Sequence, residues 1–324
     1  MFSVSRAQAR MYVCVNARVY FCACVRVSVC VCVCMCKCVC VCMCVRASLH
    51  WLSRVFSAGV YNFTVVTAMM DIGRGQWSKQ SRSYDTYLLY MQRVLRLDVN
   101  MFVFADAKAK RVVDLMRRGR QFRTYVVEKN FTDLPYYAHR DRVQEIMNSD
   151  EYRKDNELVK NKLCESLVPE YDILQWSKLY FVNEAIERNP FRNDFFIWLD
   201  GGYGHGKDVH PPDGIWKPKN VFEHSDKVTF IEREPVEKYR THADRLHKMS
   251  INIIAGGFFA GSKRALQRLY ALQQELIADW LKRGVVDDDQ TTYMLMYYKE
   301  PKLFHLVRGN WNDVFRLFNS NKKT

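Results

Sequence analysis

Phe195-Phe196-Ile197-Trp198-Leu199-Asp200-Gly201-Gly202-Tyr203-Gly204-His205-Gly206 is the stretch that decides the fold. Five consecutive apolar residues, bounded by turn-forming ones, read as a strand buried on both faces. A carboxylate then stands at the strand tip, and four of the next six residues are glycine. An Asp at the carboxyl end of a buried strand, with close approach to the backbone permitted by the glycines, suits a hard cation that also binds phosphate oxygens. It suits a Gly-rich turn with a capping Asp as well. His205 and His210 in the same loop read as solvent-facing, with a ligand role as the other reading.

Outward from this strand the chain alternates strands and helices. Tyr61–Met70, Asn100–Ala105, Thr124–Glu128, Lys227–Arg233, Ile251–Ala260 and Lys302–Val307 read as strands. Helices are expected over Ser83–Leu97, from Asp106 through Arg118, over Trp176–Arg188, Ser262–Arg283 and Asp289–Tyr298. Asp141–Cys164 reads as a polar surface helix. This alternation predicts an α/β domain over residues 60–324, with a mostly parallel central sheet flanked by helices. Ligands in such sheets sit at the carboxyl ends of strands.

Strand ends therefore supply the other candidates. Thr67-Ala68-Met69-Met70-Asp71-Ile72-Gly73-Arg74-Gly75 closes the first strand with a loop in which Arg74 can face an anion; a plain turn is the alternative. The spacing is neither a P-loop nor Gly-x-Gly-x-x-Gly. Asp106 ends the second strand, as a ribose or base acceptor or as a helix cap. Gly256 and Gly257 interrupt a buried strand, where glycine marks close approach by another group. Asp287-Asp288-Asp289-Gln290 opens a helix, as caps favoured by the dipole or as a general base facing the cleft. His305 is a strand histidine that becomes a metal ligand if it points at Asp200.

The bulk numbers exclude several classes. Over 324 residues, 48% are hydrophobic and 26% charged, with 14 Gly and 8 Pro, which argues against disorder and against several membrane spans. The net charge of +14 divides equally between residues 1–59, which carry seven bases and no acid, and the remainder, so the body is only mildly basic. Arg117, Arg118, Arg120 and Arg123 cluster without interleaved aromatics, which speaks against nucleic-acid binding.

Residues 1–59 are unlike the rest. Eleven of the twelve cysteines fall between Cys14 and Cys44, alternating with Val and Met. Cysteines two apart in a strand lie about 7 Å apart, beyond disulfide reach. Zinc would require turns between pairs. Arg18, Arg26 and Lys37 cut any apolar run below the ~18 residues of a membrane span. Alternating TGT and GTG codons of a TG repeat encode this pattern directly. We therefore expect residues 1–59 to be a low-complexity segment, unfolded or translated from repeat or intron DNA. Sequencing the transcript across codon 60 checks this.

Thr67–Gly75, then Trp77, Arg82, Ser83 and Tyr87, Trp198-Leu199-Asp200-Gly201-Gly202, Ala255-Gly256-Gly257-Phe258-Phe259 and Asp289-Gln290 together resemble the HtrL/YibB family, whose best-known members are bacterial. The resemblance covers residues 62–312. It implies similarity to GT-A-type glycosyltransferases, with a nucleotide sugar as donor, a carbohydrate or glycoconjugate as acceptor and a divalent cation, Mn2+ or Mg2+. It implies donor contacts at Thr67, Asp71, Arg74, Gly201 and Gly202, to which the strand-end reading adds Asp106. It places Gly256, Gly257 and Gln290 on the acceptor side, Asp289 and Asp288 as catalytic carboxylates, and Asp200 with His305 on the metal. The chain departs from the Asp-x-Asp metal motif, since Gly202 stands where the second Asp would be. A non-catalytic glycan- or protein-binding module of the same shape is the alternative. Golgi or ER lumen and cytoplasm both fit. The sequons at Asn62 and Asn130 do not decide between them, nor do they decide whether the protein associates with a membrane.

Overall fold

The computed structural model describes residues 63–75, 77, 82–218 and 220–319. The chain divides at residue 60, and every described residue lies in the second unit, Tyr61–Thr324. The Cys/Val repeat, the start of the first strand and the Asn62 side of its sequon lie outside the described residues.

Seven strands form one sheet: β1 (Phe63–Met69), β2 (Asn100–Ala105), β3 (Thr124–Glu128), β4 (Phe195–Leu199), β5 (Val228–Glu232), β6 (Ile254–Ser262) and β7 (Phe304–Arg308). Their order is β3-β2-β1-β4-β6-β5-β7. All pairings are parallel except those of β6, which runs antiparallel to both β4 and β5. The expected α/β architecture with a mostly parallel sheet is thus present. The reversal of β6 has no signature in its own residues, because an apolar run reads the same in either direction.

Among the described residues six helices have eight or more residues: α1 (Tyr84–Leu95), α2 (Ala107–Met116), α3 (Arg140–Asn148), α4 (Pro169–Arg188), α5 (Lys263–Arg283) and α6 (Asp289–Lys299). Their starts follow local chemistry. Ser83, Asp106, Ser262 and Asp288 each accept a hydrogen bond from a backbone N–H of the first turn, which satisfies donors the helix leaves orphaned. α4 begins at Pro169, seven residues before its expected start, with proline at the position where a missing N–H costs nothing. The expected polar helix over 141–164 is instead broken into α3 and two single turns, and Val143, Ile146, Met147 and Tyr152 are buried. Asp155 and Lys162 take positive φ there and interrupt it.

Each face of the sheet is covered. On one, Phe102, Phe104, Phe196, Trp198, Phe230 and Phe259 pack under α4, α5 and α6. Trp198 lies near-parallel to Phe181 of α4, ring centres 6.0 Å apart. On the other, Val65, Met101, Val103, Ile197 and Leu199 meet Leu88, Met91 and Val94 of α1 and Val113 of α2. The chain leaves β1 toward β2 and β3, then returns to place β4 on the other side of β1. The strand order therefore reverses between β1 and β4, and a crevice opens at their carboxyl ends.

Candidate functional site

The sheet carries Asp71 just past β1 and Asp200 just past β4, one on each side of this crevice. Trp198 and Asp200 lie two residues apart, so both side chains point to the face covered by α4. Trp198 Nε1–H donates to Asp200 Oδ1 at 2.7 Å. Asp200 retains 36% side-chain exposure, so one side of the carboxylate stays open.

The remaining valence of Asp200 is met by a residue that its sequence surroundings concealed. Lys178, in the middle of α4, is 7% exposed at its side chain. Its ammonium donates to Asp289 Oδ2 at 2.8 Å and to the Gly256 carbonyl at 3.0 Å, and lies 3.2 Å from Asp200 Oδ1. An ammonium has three N–H donors, and all three are used. Burial pulls the Lys178 ammonium down, but Asp200 and Asp289 more than offset it and hold it above the ordinary lysine value. Burial pushes the Asp289 carboxyl up to about 7, against the pull of Lys178.

α4 fixes the other end of this link as well. Trp176 Nε1–H donates to the Asp287 carbonyl at 2.8 Å and so holds the segment that leads into α6. Asp288 caps α6, accepting from Gln290 N and from Gln290 Nε2, both at 2.9 Å. Burial, then Glu165, pushes Asp288 up to about 6. Of the two carboxylates expected to be catalytic, Asp289 is tied to the β4 tip through Lys178, and Asp288 is held in the cap of α6.

The glycines are close-approach positions, and the approaching groups are the protein's own. A Cβ on Gly256 would lie 2.5 Å from Asp289 Oδ2, and one on Gly201 would lie 2.7 Å from the Ala68 carbonyl. Gly202 abuts the Tyr87 ring, and Gly257 faces Asp200 Oδ2. Arg74 lies over the other side of that neighbourhood, its guanidinium 4.2 Å from the Tyr87 ring centre. Thr67 is buried beneath Gly201, its hydroxyl without a partner among the described residues.

A cleft of about 590 Å³ adjoins the crevice, lined by Asp71, Gly73, Trp77, Asp106, Asn130 and Tyr137 among others. It lies at the carboxyl ends of β1, β2 and β3. Asp106 is already well used there. Oδ1 accepts from Ala109 N at 2.8 Å, and Oδ2 accepts from Tyr84 OH at 2.7 Å and Asp71 N at 2.9 Å. It caps α2 and also walls the cleft.

Three readings need correction. His305 does not join Asp200. It sits on β7, with β5 and β6 between it and β4, and its Nδ1 lies 3.2 Å from Thr229 Oγ1. Three strand spacings amount to about 14 Å, which no His–Asp pair spans. His210 is half-buried against Tyr203 and Phe315, not solvent-facing. The close approach allowed by Gly201 and Gly202 is taken up by β1 and Tyr87.

The residues present do not fit the divalent cation that the resemblance implies. Asp200 is a single carboxylate whose Oδ1 already accepts from Trp198 and whose charge is met by Lys178, Gly202 brings no second one, and His305 is remote. An ion on Oδ2 would sit beside an ammonium 3.5 Å from that oxygen. Among the described residues no three His, Cys, Asp or Glu side chains are grouped to hold a metal.

Asp172, one turn and a half before Lys178, is fully buried, and neither carboxylate oxygen has a partner among the described residues. Burial, then Asp287, Asp288 and Glu165, pushes it well above the usual carboxylate range. A carboxyl raised on folding favours the fold most at acid pH and loses that advantage as pH climbs from the unfolded value toward the folded one. Asp172→Asn removes this loss. It is expected to stabilise the protein at pH 8 by on the order of 1–3 kcal/mol and to do little at pH 4. Thermal melts at the two pH values check it.

The family model described as "Bacterial protein of unknown function (HtrL_YibB)" matches residues 61–320. Protein HtrL of Escherichia coli (strain K12) is 32% identical over 275 residues, covering 80% of this chain and 93% of that protein. Among solved structures, apo mouse xyloside xylosyltransferase 1 overlays with a TM-score of 0.40 at 11% identity, covering 76% of this chain and 84% of its own. The 4-diphosphocytidyl-2C-methyl-D-erythritol synthase of Anaerococcus prevotii overlays with a TM-score of 0.38 at 8% identity, covering 82% and 93%. Both overlays are loose. Across nearly all of its second unit, the chain belongs to the HtrL/YibB family.

Proposed function

We propose that this protein transfers a sugar from a nucleoside-diphosphate donor to a carbohydrate or glycoconjugate acceptor. The observation that carries this reading is Asp200, half open, at the carboxyl end of β4 where the strand order reverses. A crevice of this kind is where open α/β sheets bind nucleotides. The cleft walled by Asp71 and Asp106 is the place for the nucleoside, with the exposed Asp71 carboxylate available to a ribose or base. The reacting sugar then lies toward Asp200, Gly257 and α6.

Transfer requires a neutralised leaving group and a carboxylate near the acceptor hydroxyl. Asp289, raised to about 7, stands in the range where a carboxylate takes a proton effectively at neutral pH. Its link to Lys178 sets the orientation, and Asp288 and Gln290 hold the rim of α6.

Isothermal titration with UDP- and GDP-sugars tests the reading, and folded protein that binds none of them overturns it. Asp200→Asn is expected to reduce turnover on the order of 10²-fold or more, while the melting temperature shifts little because the side chain is partly solvated. Unchanged turnover would remove Asp200 from the chemistry. A second reading, a binding module without catalysis, is favoured by Gly202 in place of a second acid. A sugar-nucleotide hydrolysis assay separates the two. Among the described residues no helix is long and apolar enough to cross a membrane.

A further inference from the structure

We propose that the β4 tip takes the diphosphate of a nucleoside diphosphate without a divalent cation, its charge met by Arg74 and Arg82, while Lys178 serves as a fixed internal cation joining Asp200 to Asp289. The inference rests on the donor reading above and goes further by naming what neutralises the phosphates.

Lys178 already supplies a positive charge at the β4 tip. Its three donors are spent on Asp289, Gly256 and Asp200. It cannot turn toward a ligand without leaving two carboxylates unpaired, which a buried site does not tolerate. A divalent ion brought to Asp200 would be repelled by this ammonium and would find the neighbouring carboxylate, Asp289, buried and already bound to Lys178. The carboxylate at the strand tip is thus a charge the protein has neutralised itself.

The basic groups on the other side of the loop are in the opposite condition. Neither Arg74 nor Arg82 has a carboxylate partner among the described residues, whereas Arg93 of α1 and Lys108 beside it are paired with Asp208 and Asp85. Arg74 is held over Tyr87, and the Tyr87 ring edge touches Gly202. The same ring lies 6.2 Å from His205. Arg82 directly precedes Ser83, the cap of the helix that carries Tyr87, so it stands at the end of α1 where that ring meets Arg74 and the Gly-rich loop. In keeping with this, partial desolvation, then Arg82 and Arg74, pull the His205 imidazole below the ordinary histidine value. Two unpaired guanidiniums beside a strand tip are a site for a bidentate, doubly charged anion.

The test is isothermal titration of the full chain with UDP, GDP and inorganic pyrophosphate, in excess EDTA and again in MnCl2. The expected result is binding in EDTA at least as tight as in MnCl2 and a paramagnetic-resonance signal of free Mn2+ that protein plus UDP lowers no more than UDP alone does. Arg74→Gln with Arg82→Gln should weaken binding by about 10- to 100-fold and flatten its salt dependence. Arg82→Gln alone, at an exposed position, gives part of that loss should the double variant fold poorly. Nucleotide binding that requires Mn2+, or that ignores both arginine substitutions, overturns this inference and leaves the donor reading standing. Absence of nucleotide binding in either buffer overturns both.

Discussion

Replacing Lys178 by methionine is expected to destabilise the fold by about 3–5 kcal/mol, the usual cost of leaving a buried charge without its partner. The methionine fills much of the space, so the loss is electrostatic. Asp289, 3% exposed at its side chain, would face Asp200 with nothing between them. The penalty must depend on pH in a defined direction. Asp289 is already raised to about 7 by burial, and without the ammonium it rises further. Below its folded value it carries a proton, and the variant then has one charge fewer to accommodate. Lys178 itself stays charged throughout this range, being held above the ordinary lysine value. The gap between variant and wild type should therefore be widest at pH 8 and should narrow toward pH 5. Denaturant melts at both values measure it. A gap that is constant with pH would mean that Lys178 contributes by packing alone. Transfer activity should be lost at every pH, because Asp289 loses its orientation.

The place of Lys178 explains what the sequence conveyed and what it withheld. β4 was legible because five apolar residues in a row have no other use than a strand buried on both faces, and the glycines after Asp200 announced a crowded strand tip. The caps at Ser83, Asp106, Ser262 and Asp288 were legible because N-capping is local chemistry, settled within three residues. Lys178 was not legible. It follows Trp176 and precedes Leu179 in a helix that reads as amphipathic, and a lysine there passes for a solvated residue. The missed signal was that α4 is apolar nearly all round. Ile173, Trp176, Leu179, Phe181, Val182 and Ala185 leave no solvent face in its middle turns, so a lysine among them must have partners. His305 failed for the opposite reason. Its distance from Asp200 depends on strand order, and the insertion of β6 and β5 between them is written in no single segment.

Gly256→Ala is the substitution expected to break the site with the smallest change in chemistry. A Cβ at residue 256 would lie 2.5 Å from Asp289 Oδ2 and 2.8 Å from Oδ1. Those are contacts that real methyl groups do not make, so something must move. Gly256 lies beyond the last β4 pair, Leu199 with Phe258, and where the β5 register shifts between Phe259 and Ile254. Either this irregular stretch of β6 gives way or the Asp289 side chain rotates, and each movement parts Lys178 from one of its acceptors. Overpacking of this kind costs about 1–3 kcal/mol, to which the broken ion pair adds. Gly257→Ala is the control. Its Cβ would lie 3.4 Å from Asp200 Oδ2, a contact that slight adjustment accommodates. The first variant should melt well below wild type and lose donor turnover, and the second should melt near wild type. Equal melting temperatures would show that Gly256 is not small on account of Asp289, and the linkage from β6 through α6 to Lys178 would have to be abandoned.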